Sequence, residues 1–284
     1  MGQFQRWTFG NTEVIALQDT WSRLRPDYFF PDADPAAFGG YEEYLMEGGR
    51  MALSHTAWLI ASGGRTILVD TGIGFRPGPL PVREEASLPA VLTEAGVSAG
   101  EVDTVVFTHL HYDHVGWNTV EREGGLAPLF PNARHIVQQR EWDYWTGPDA
   151  DPMAAPDRAL VLEPLLERGL VDFVEGEHAV TREVVTISTP GHTPGHVSFL
   201  LTAPGQSVLF LGDAAHSPMQ VPEAHWCAGA DIDPERARAS RRMLWDRAAR
   251  DGALVATSHF PFPGLGRVVE EGGMRRWEAR EGEA

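Results

Sequence analysis

Four short apolar runs in this chain each lead to a histidine or an aspartate, and that pattern limits the folds open to it. Thr104–Phe107 leads to His109, Val184–Ser188 to His192, Val208–Leu211 to Asp213 and Leu254–Thr257 to His259. Continuous apolar runs this short read as buried strands. Helical patterns stand among them: Leu88–Ala95, closing at Gly96, then Arg140–Trp145 and Ala159–Arg168. A longer helix starts at Asp233-Pro234, an N-cap followed by proline at the first helical position, and runs through Arg250 to stop near Gly252. Mixed strands and helices with polar groups at the strand ends predict an α+β sandwich of two mixed sheets packed together, with helices outside.

The other segments fill in that outline. His55–Ala61 and Thr66–Asp70 flank Ser62-Gly63-Gly64 and read as a hairpin. Val14–Leu17 is a short strand after Gly10-Asn11, and His135–Val137, Val171–Val174 and Val197–Leu201 are further strands. Trp21–Gly49 reads as a long irregular loop with Pro26, Pro31 and Pro35 and many aromatics. Loops of that length are usually functional or mobile. No linker stands out, so we expect one domain over residues 1–284. The Pro/Asp-rich stretch Gly147–Pro156 would mark the midpoint between two similar halves, about 1–150 and 151–284.

Charge excludes one class of partner. The net charge is -17, from 40 acidic and 23 basic residues, a field that repels polyanions. The one basic cluster, Arg236–Arg242, reads as the solvated face of a helix, so a nucleic-acid partner is not expected. A single cysteine, Cys227, allows no intrachain disulfide. No apolar run approaches the roughly 20 residues of a membrane span, and Met1–Arg6 has no charged region followed by an apolar stretch, so no signal peptide is expected. The expectation is a cytoplasmic protein with no membrane partner.

The chemistry concentrates at His109-Leu110-His111-Tyr112-Asp113-His114, which holds three of the eleven histidines. Imidazole is a good zinc ligand and carboxylate a harder oxygen ligand. On extended backbone, His109 and His111 point the same way, leaving Asp113 and His114 to reach a second ion. His55, His135 and His178 lack such a context and read as ordinary histidines.

The segment Thr108–Gly116 resembles the signature of the metallo-β-lactamase-fold superfamily. Thr189-Pro190-Gly191-His192-Thr193-Pro194-Gly195-His196 is similar to that superfamily's second histidine segment. Leu211-Gly212-Asp213 resembles its bridging-aspartate segment, Ser258-His259 its last ligand, and Asp70-Thr71-Gly72 its early strand-end motif. The likeness spans roughly residues 50 to 265. It implies the αβ/βα four-layer sandwich and a centre of two divalent ions, zinc first, with manganese, cobalt or iron as alternatives. By that resemblance His109, His111 and His192 hold one ion, Asp113, His114 and His259 the other, and Asp213 bridges both together with a hydroxide that acts as nucleophile. Asp113 then passes a proton to the leaving group. Asp70 and His196 are expected to support the ligands from behind.

Within the superfamily, Asp213 argues against the β-lactamase branches. With 25 residues after His259 (260–284), the extra C-terminal domain of the glyoxalase II branch is not expected. The segments around Asp213 to Ala237 and Ser258 to Gly266 resemble the group of N-acyl homoserine lactonases and methyl parathion hydrolase. The implied substrate is a small ester-like molecule, a lactone first, with aryl esters and phosphotriesters as alternatives. An iron-dependent persulfide dioxygenase is a more distant one. His216 stands where homoserine lactonases often carry a tyrosine, and can donate to an oxyanion. An apolar pocket is expected from Tyr28, Phe29, Phe30, Trp117, Met219, Trp226, Phe260 and Phe262, and the aromatic N-terminal segment offers a homodimer contact.

Overall fold

The structure, a computed structural model, describes residues 3–76, 78 and 80–282. The first six strands are β1 (Phe4–Phe9), β2 (Thr12–Leu24), β3 (Leu45–Met46), β4 (Arg50–Ser62), β5 (Arg65–Val69) and β6 (Thr104–Val106). A small separate hairpin, β7 (Thr119–Arg122) and β8 (Gly125–Pro128), precedes β9 (Arg134–Gln138) and β10 (Val171–Val174). Apart from β7 and β8, these form one sheet in the order β1-β2-β4-β5-β6-β9-β10, with β3 beside β4. The second sheet runs β11 (Val184–Ser188), β12 (Val197–Ala203), β13 (Gln206–Phe210), β14 (Leu254–Ala256), β15 (Leu265–Glu271) and β16 (Met274–Ala279). Both sheets are mixed: β5, β6, β9 and β10 pair in parallel, as do β13 and β14. The chain passes between sheets after Val174 and before Val184, later than the Gly147–Pro156 stretch.

Side-chain alternation explains the layering. Val14 and Ala16 of β2, and Trp58 and Ile60 of β4, face the second sheet and meet Val197, Phe199, Val208 and Phe210. Their neighbours Ile15, Leu17, Ala57 and Leu59 face the other way, under α2 (Leu88–Glu94). Strands covered on both faces lose the usual polar alternation and read as continuous apolar runs. The outer face of the second sheet, with Leu209, Val255 and Trp277, packs on Leu244, Trp245 and Ala248 of the long helix Pro234–Asp251. This is the helix–sheet–sheet–helix sandwich that the sequence implied.

Several elements differ from expectation. The 21–49 stretch is not wholly irregular: β2 runs on to Leu24, α1 covers Pro26–Phe29, and 3-10 turns lead into β3. After α3 (Gln139–Thr146), the single helix expected over 159–168 is two, α4 (Arg158–Val161) and α5 (Glu163–Glu167). Pro164 enters at the start of α5, where its missing N–H does no harm but cannot continue α4. The long helix, α6, starts on its Asp233 cap and ends at Gly252 in the left-handed conformation, as read. Its basic run is not all solvated, however. Arg241 is fully buried and donates to Ala214 O, Ala224 O and Trp226 O. No helix among the described residues is long and apolar enough to cross a membrane.

Candidate metal centre

Strand ends deliver the expected ligands. His109–His114 follow β6, His192 lies in the turn between β11 and β12, Asp213 follows β13 and His259 follows β14. All seven are buried, and they form two groups around Asp213. In the first, His109 Nε2 and His192 Nε2 each lie 2.9 Å from His111 Nδ1. Asp213 Oδ2 is 3.2 Å from His192 Nε2 and 3.7 Å from His109 Nε2. In the second, Asp213 Oδ1 lies 3.2 Å from His114 Nε2 and 3.1 Å from His259 Nε2. Asp113 Oδ2 is 3.7 Å from His259 Nε2. Asp213 therefore offers one oxygen to each group.

The outward nitrogens decide what the inward ones can do. His114 Nδ1 lies 2.8 Å from Asp70 Oδ2, His192 Nδ1 2.8 Å from Asp231 Oδ1, and His259 Nδ1 2.6 Å from the Ser54 carbonyl. Carboxylates and carbonyls only accept, so each ring carries a proton outside and turns an Nε2 lone pair inward. Thr108 does the same for His109. Its hydroxyl donates to Asp70 Oδ2 at 2.8 Å, leaving its oxygen to accept from His109 Nδ1 at 3.0 Å. Four lone pairs and two carboxylates thus converge in a buried space. That donor set fits a pair of divalent cations, zinc among them.

With protons as the only cations, the same site is in conflict. Burial lowers His114, yet Asp213, Asp70 and Asp113 override this and hold it well above its ordinary value. Burial also opposes a charge on His192, and Asp213 beside it pushes the ring up to about 9. His109 sits well below its ordinary value, through burial first and then its neighbour His114. Divalent ions held there would remove that conflict, because the inward nitrogens and carboxylate oxygens could serve as ligands.

The backbone is bent to make these contacts. Asp70 adopts φ 60°, a left-handed conformation that aspartate visits more readily than most residues. Its carboxylate accepts from Thr108 N and Thr108 Oγ1, each at 2.8 Å, besides His114. Gly212 has φ 56°, and a Cβ there would stand 2.7 Å from His196 Nε2 and from Thr108 Cβ. Only glycine fits immediately before Asp213. His196 accepts from Asp213 N at 3.0 Å through Nε2, and its Nδ1 donates to Thr189 O at 3.0 Å. It supports the backbone of the shared aspartate rather than a ring.

Four contributors were not singled out from the sequence. Asp231 orients His192 and is itself held by Ala228 N and the buried Arg241 guanidinium. Glu141 of α3 accepts from Leu110 N, Trp145 Nε1, Thr193 Oγ1 and Gly195 N, tying the two histidine segments together. Asp19, at a register shift in β2, accepts from the N–H groups of Ile73, Gly74, Ser87 and Leu88 and from Trp117 Nε1. His55, read as ordinary, is buried with Nδ1 3.3 Å from Asp113 Oδ2. An acidic residue on an apolar helix face or inside a strand was the available signal for Glu141 and Asp19, and Asp231 lies in the loop before α6. No signal exists for which loop each one serves.

The expected pocket is redistributed. His216 is buried, with Nε2 3.2 Å from Asp213 Oδ2 and its ring 5.2 Å from that of Phe29. Phe29 therefore flanks the centre. Phe30, Met219 and Trp226 form a buried cluster behind it, with Phe38. Tyr28 is 73% exposed and turns to solvent. Phe260 packs on Trp277 in the outer core of the second sheet, and Phe262 lies against the core between the sheets. Trp117 is half-buried, its indole N–H committed to Asp19. An apolar residue one or two positions from a ligand is as free to fill core as to face a substrate.

A profile of the Metallo-beta-lactamase superfamily matches residues 50–259, and the chain belongs to that superfamily. Among curated proteins it is 33% identical over 195 residues to the N-acyl homoserine lactonase AttM of Azorhizobium caulinodans, covering 63% of this chain and 66% of that one, just under two thirds of AttM. It is 26% identical over 249 residues to the N-acyl homoserine lactonase AiiA of Bacillus thuringiensis subsp. kurstaki, covering 76% and 92%. Among solved structures it superposes on AidC, a dizinc quorum-quenching lactonase, with a TM-score of 0.84 at 22% identity, covering 100% of this chain and 99% of that one. The hydrolase AbOPH of the beta lactamase superfamily gives 0.86 at 26% identity, with the same coverage.

Proposed function

We propose that this metal-dependent hydrolase opens the ester bond of a small lactone. The observation that carries the reading is the pair of buried donor groups sharing Asp213, with His216 and Phe29 beside it. The reading assigns His109, His111 and His192 to one ion, Asp113, His114 and His259 to the other, and Asp213 to both. When bound, two such ions lower the pKa of a water held between them, supplying a hydroxide nucleophile at neutral pH. The protein does the rest. Asp70, Asp231 and Ser54 fix the ring orientations. His216 presents an N–H toward the oxygen that gains charge as the carbonyl is attacked. Asp113 carries a proton to the leaving alkoxide. Phe29, backed by Phe30 and Trp226, keeps the reacting end apolar and disfavours charged substrates, and the net charge of -17 repels anionic ones. Lactone hydrolysis is supported by the likeness to AttM and AiiA.

A second reading, hydrolysis of aryl esters or phosphotriesters, is favoured by one residue. His216 stands where lactonases often carry tyrosine. A substrate panel separates the two: acyl homoserine lactones, simple lactones, aryl esters and phosphotriesters, each with zinc-loaded and metal-free protein. Lactone opening no faster with metal than without it sinks the lactonase assignment. A single tightly bound iron in place of zinc points instead to oxygenase chemistry.

A further inference from the structure

The second donor group has a neighbour that the superfamily pattern does not name. His55 lies on β4, opposite Thr20 of β2, so Ser22, two residues further along β2, shares its face. Its ring is fully buried and stands 5.4 Å from that of His259 at 85°. Its Nδ1 has no hydrogen-bond partner and points at Asp113 Oδ2, 3.3 Å away. One donor atom each from His55, Asp113 and His259 lies within 4.8 Å of the other two. Two ligands about 2.1 Å from one zinc ion in a tetrahedral site are themselves roughly 3.4 Å apart, which is the spacing of His55 Nδ1 and Asp113 Oδ2. On its outer side, His55 Nε2 lies 3.1 Å from Ser22 Oγ, a hydroxyl able to accept. The ring thus follows the arrangement of His109, His114, His192 and His259, an outer nitrogen on a protein oxygen and an inner one turned to the site, with the two nitrogens exchanged.

We propose that His55 is an eighth protein donor of the centre, binding the second ion through Nδ1 alongside Asp113 and His259. This rests on the two-ion part of the function proposed above, not on its substrate. A nitrogen in that position lets Asp113 leave the ion without stranding it. It thereby frees the carboxylate for the proton transfer assigned to it. An apolar residue in place of His55 would leave Asp113 as an obligatory ligand.

The test is a metal titration of the full chain, stripped and reloaded with Co2+, reading two binding steps by calorimetry and visible absorption. His55→Phe and His55→Gln, checked for folding by circular dichroism, are both expected to keep the first step. Both should bind the second ion about 10–100-fold more weakly, the scale for disturbed ligand shells. Glutamine can donate to Asp113 but ligates poorly. A His55→Gln protein with the wild-type second step would make His55 an orienting donor only and overturn the proposal. So would an unchanged second step in His55→Phe, or loss of both steps together in a folded protein. If neither variant folds, Ser22→Ala removes the outer partner, and a second step identical to wild type overturns the proposal. A wild-type chain that takes up one ion alone overturns the two-ion reading and this inference with it. Substrate turnover is not read, so a wrong substrate class leaves the result intact.

Discussion

In the reaction proposed above, His216 is the residue that bears most on the choice of substrate. Its ring is wedged between Phe29 and His259, stacked on the latter at 5.5 Å and 8°, and its Nδ1 is buried without a hydrogen-bond partner. Such a nitrogen is costly to keep unless something binds there. His216→Ala is expected to lower kcat by about 100- to 1,000-fold, the usual loss for one oxyanion donor, with KM little changed. Initial rates on a lactone check this, and a KM effect without a kcat effect assigns the ring to ground-state binding instead. Asp231 works one layer out. Asp231→Asn keeps the shape but weakens the acceptor facing His192 Nδ1. It should cut first-ion affinity by about tenfold or more, readable by competition with a chelator.

At the scale of elements, α3 is the brace of the site. It is only eight residues long, yet Glu141 on its buried face receives donors from both histidine segments. Gly195 follows from that contact, since a Cβ there would stand 2.4 Å from Glu141 N. Glu141→Ala would leave those donors unpaired in the interior, at about 1–3 kcal/mol for each one that finds no water. A loss of about 3 kcal/mol or more in urea unfolding is expected, together with poor metal retention. Wild-type stability would show that water replaces the carboxylate. The sequence made α3 visible by its apolar spacing, and α6 by its cap and its glycine. What it did not reveal was contact across the two sheets. Nothing local to Glu141 says that Thr193, 52 positions away, is its partner. The histidines and aspartates at strand ends were legible because each follows an apolar run. β1 and the β15–β16 hairpin were overlooked although Gly10-Asn11 and Gly272-Gly273 both carry two-residue turn signals. β16 is largely exposed and carries Arg275, Arg276 and Glu278, which hid its period.

On the scale of the whole molecule, the centre joins two sheets. His109, His111, Asp113 and His114 come from the first, and His192, Asp213 and His259 from the second. The seam is reinforced where Ser54 N and Thr56 N of β4 donate to His259 O and Ser258 O, at 3.1 and 3.0 Å. Ions that bind only the folded arrangement stabilise it by mass action, about 2.7 kcal/mol at a hundredfold excess over Kd. Chelation should therefore lower Tm by roughly 5–10 °C, and an unchanged Tm after proven metal loss argues against the ions bridging the sheets. Acid acts elsewhere too. His135 is buried against Phe107, and burial pushes its pKa down to about 4 from 6.5. Between those values the unfolded chain binds a proton that the fold refuses, so stability falls as pH drops from about 6.5 toward 4. That group alone should cost about 2 kcal/mol at pH 5 relative to pH 7, and His135→Phe should flatten the slope in urea midpoints.

The β4 seam also sets an order of events during synthesis. His259 is the last donor in chain order, and its Nδ1 is fixed by Ser54, made 205 residues earlier. On the two-ion reading, the second site is incomplete while the ribosome is still short of β14, however well the first sheet has folded. Loading of the second ion would therefore wait until His259 has been made and has met Ser54. Chains truncated before Leu254 should accordingly bind Co2+ without the two-step signature.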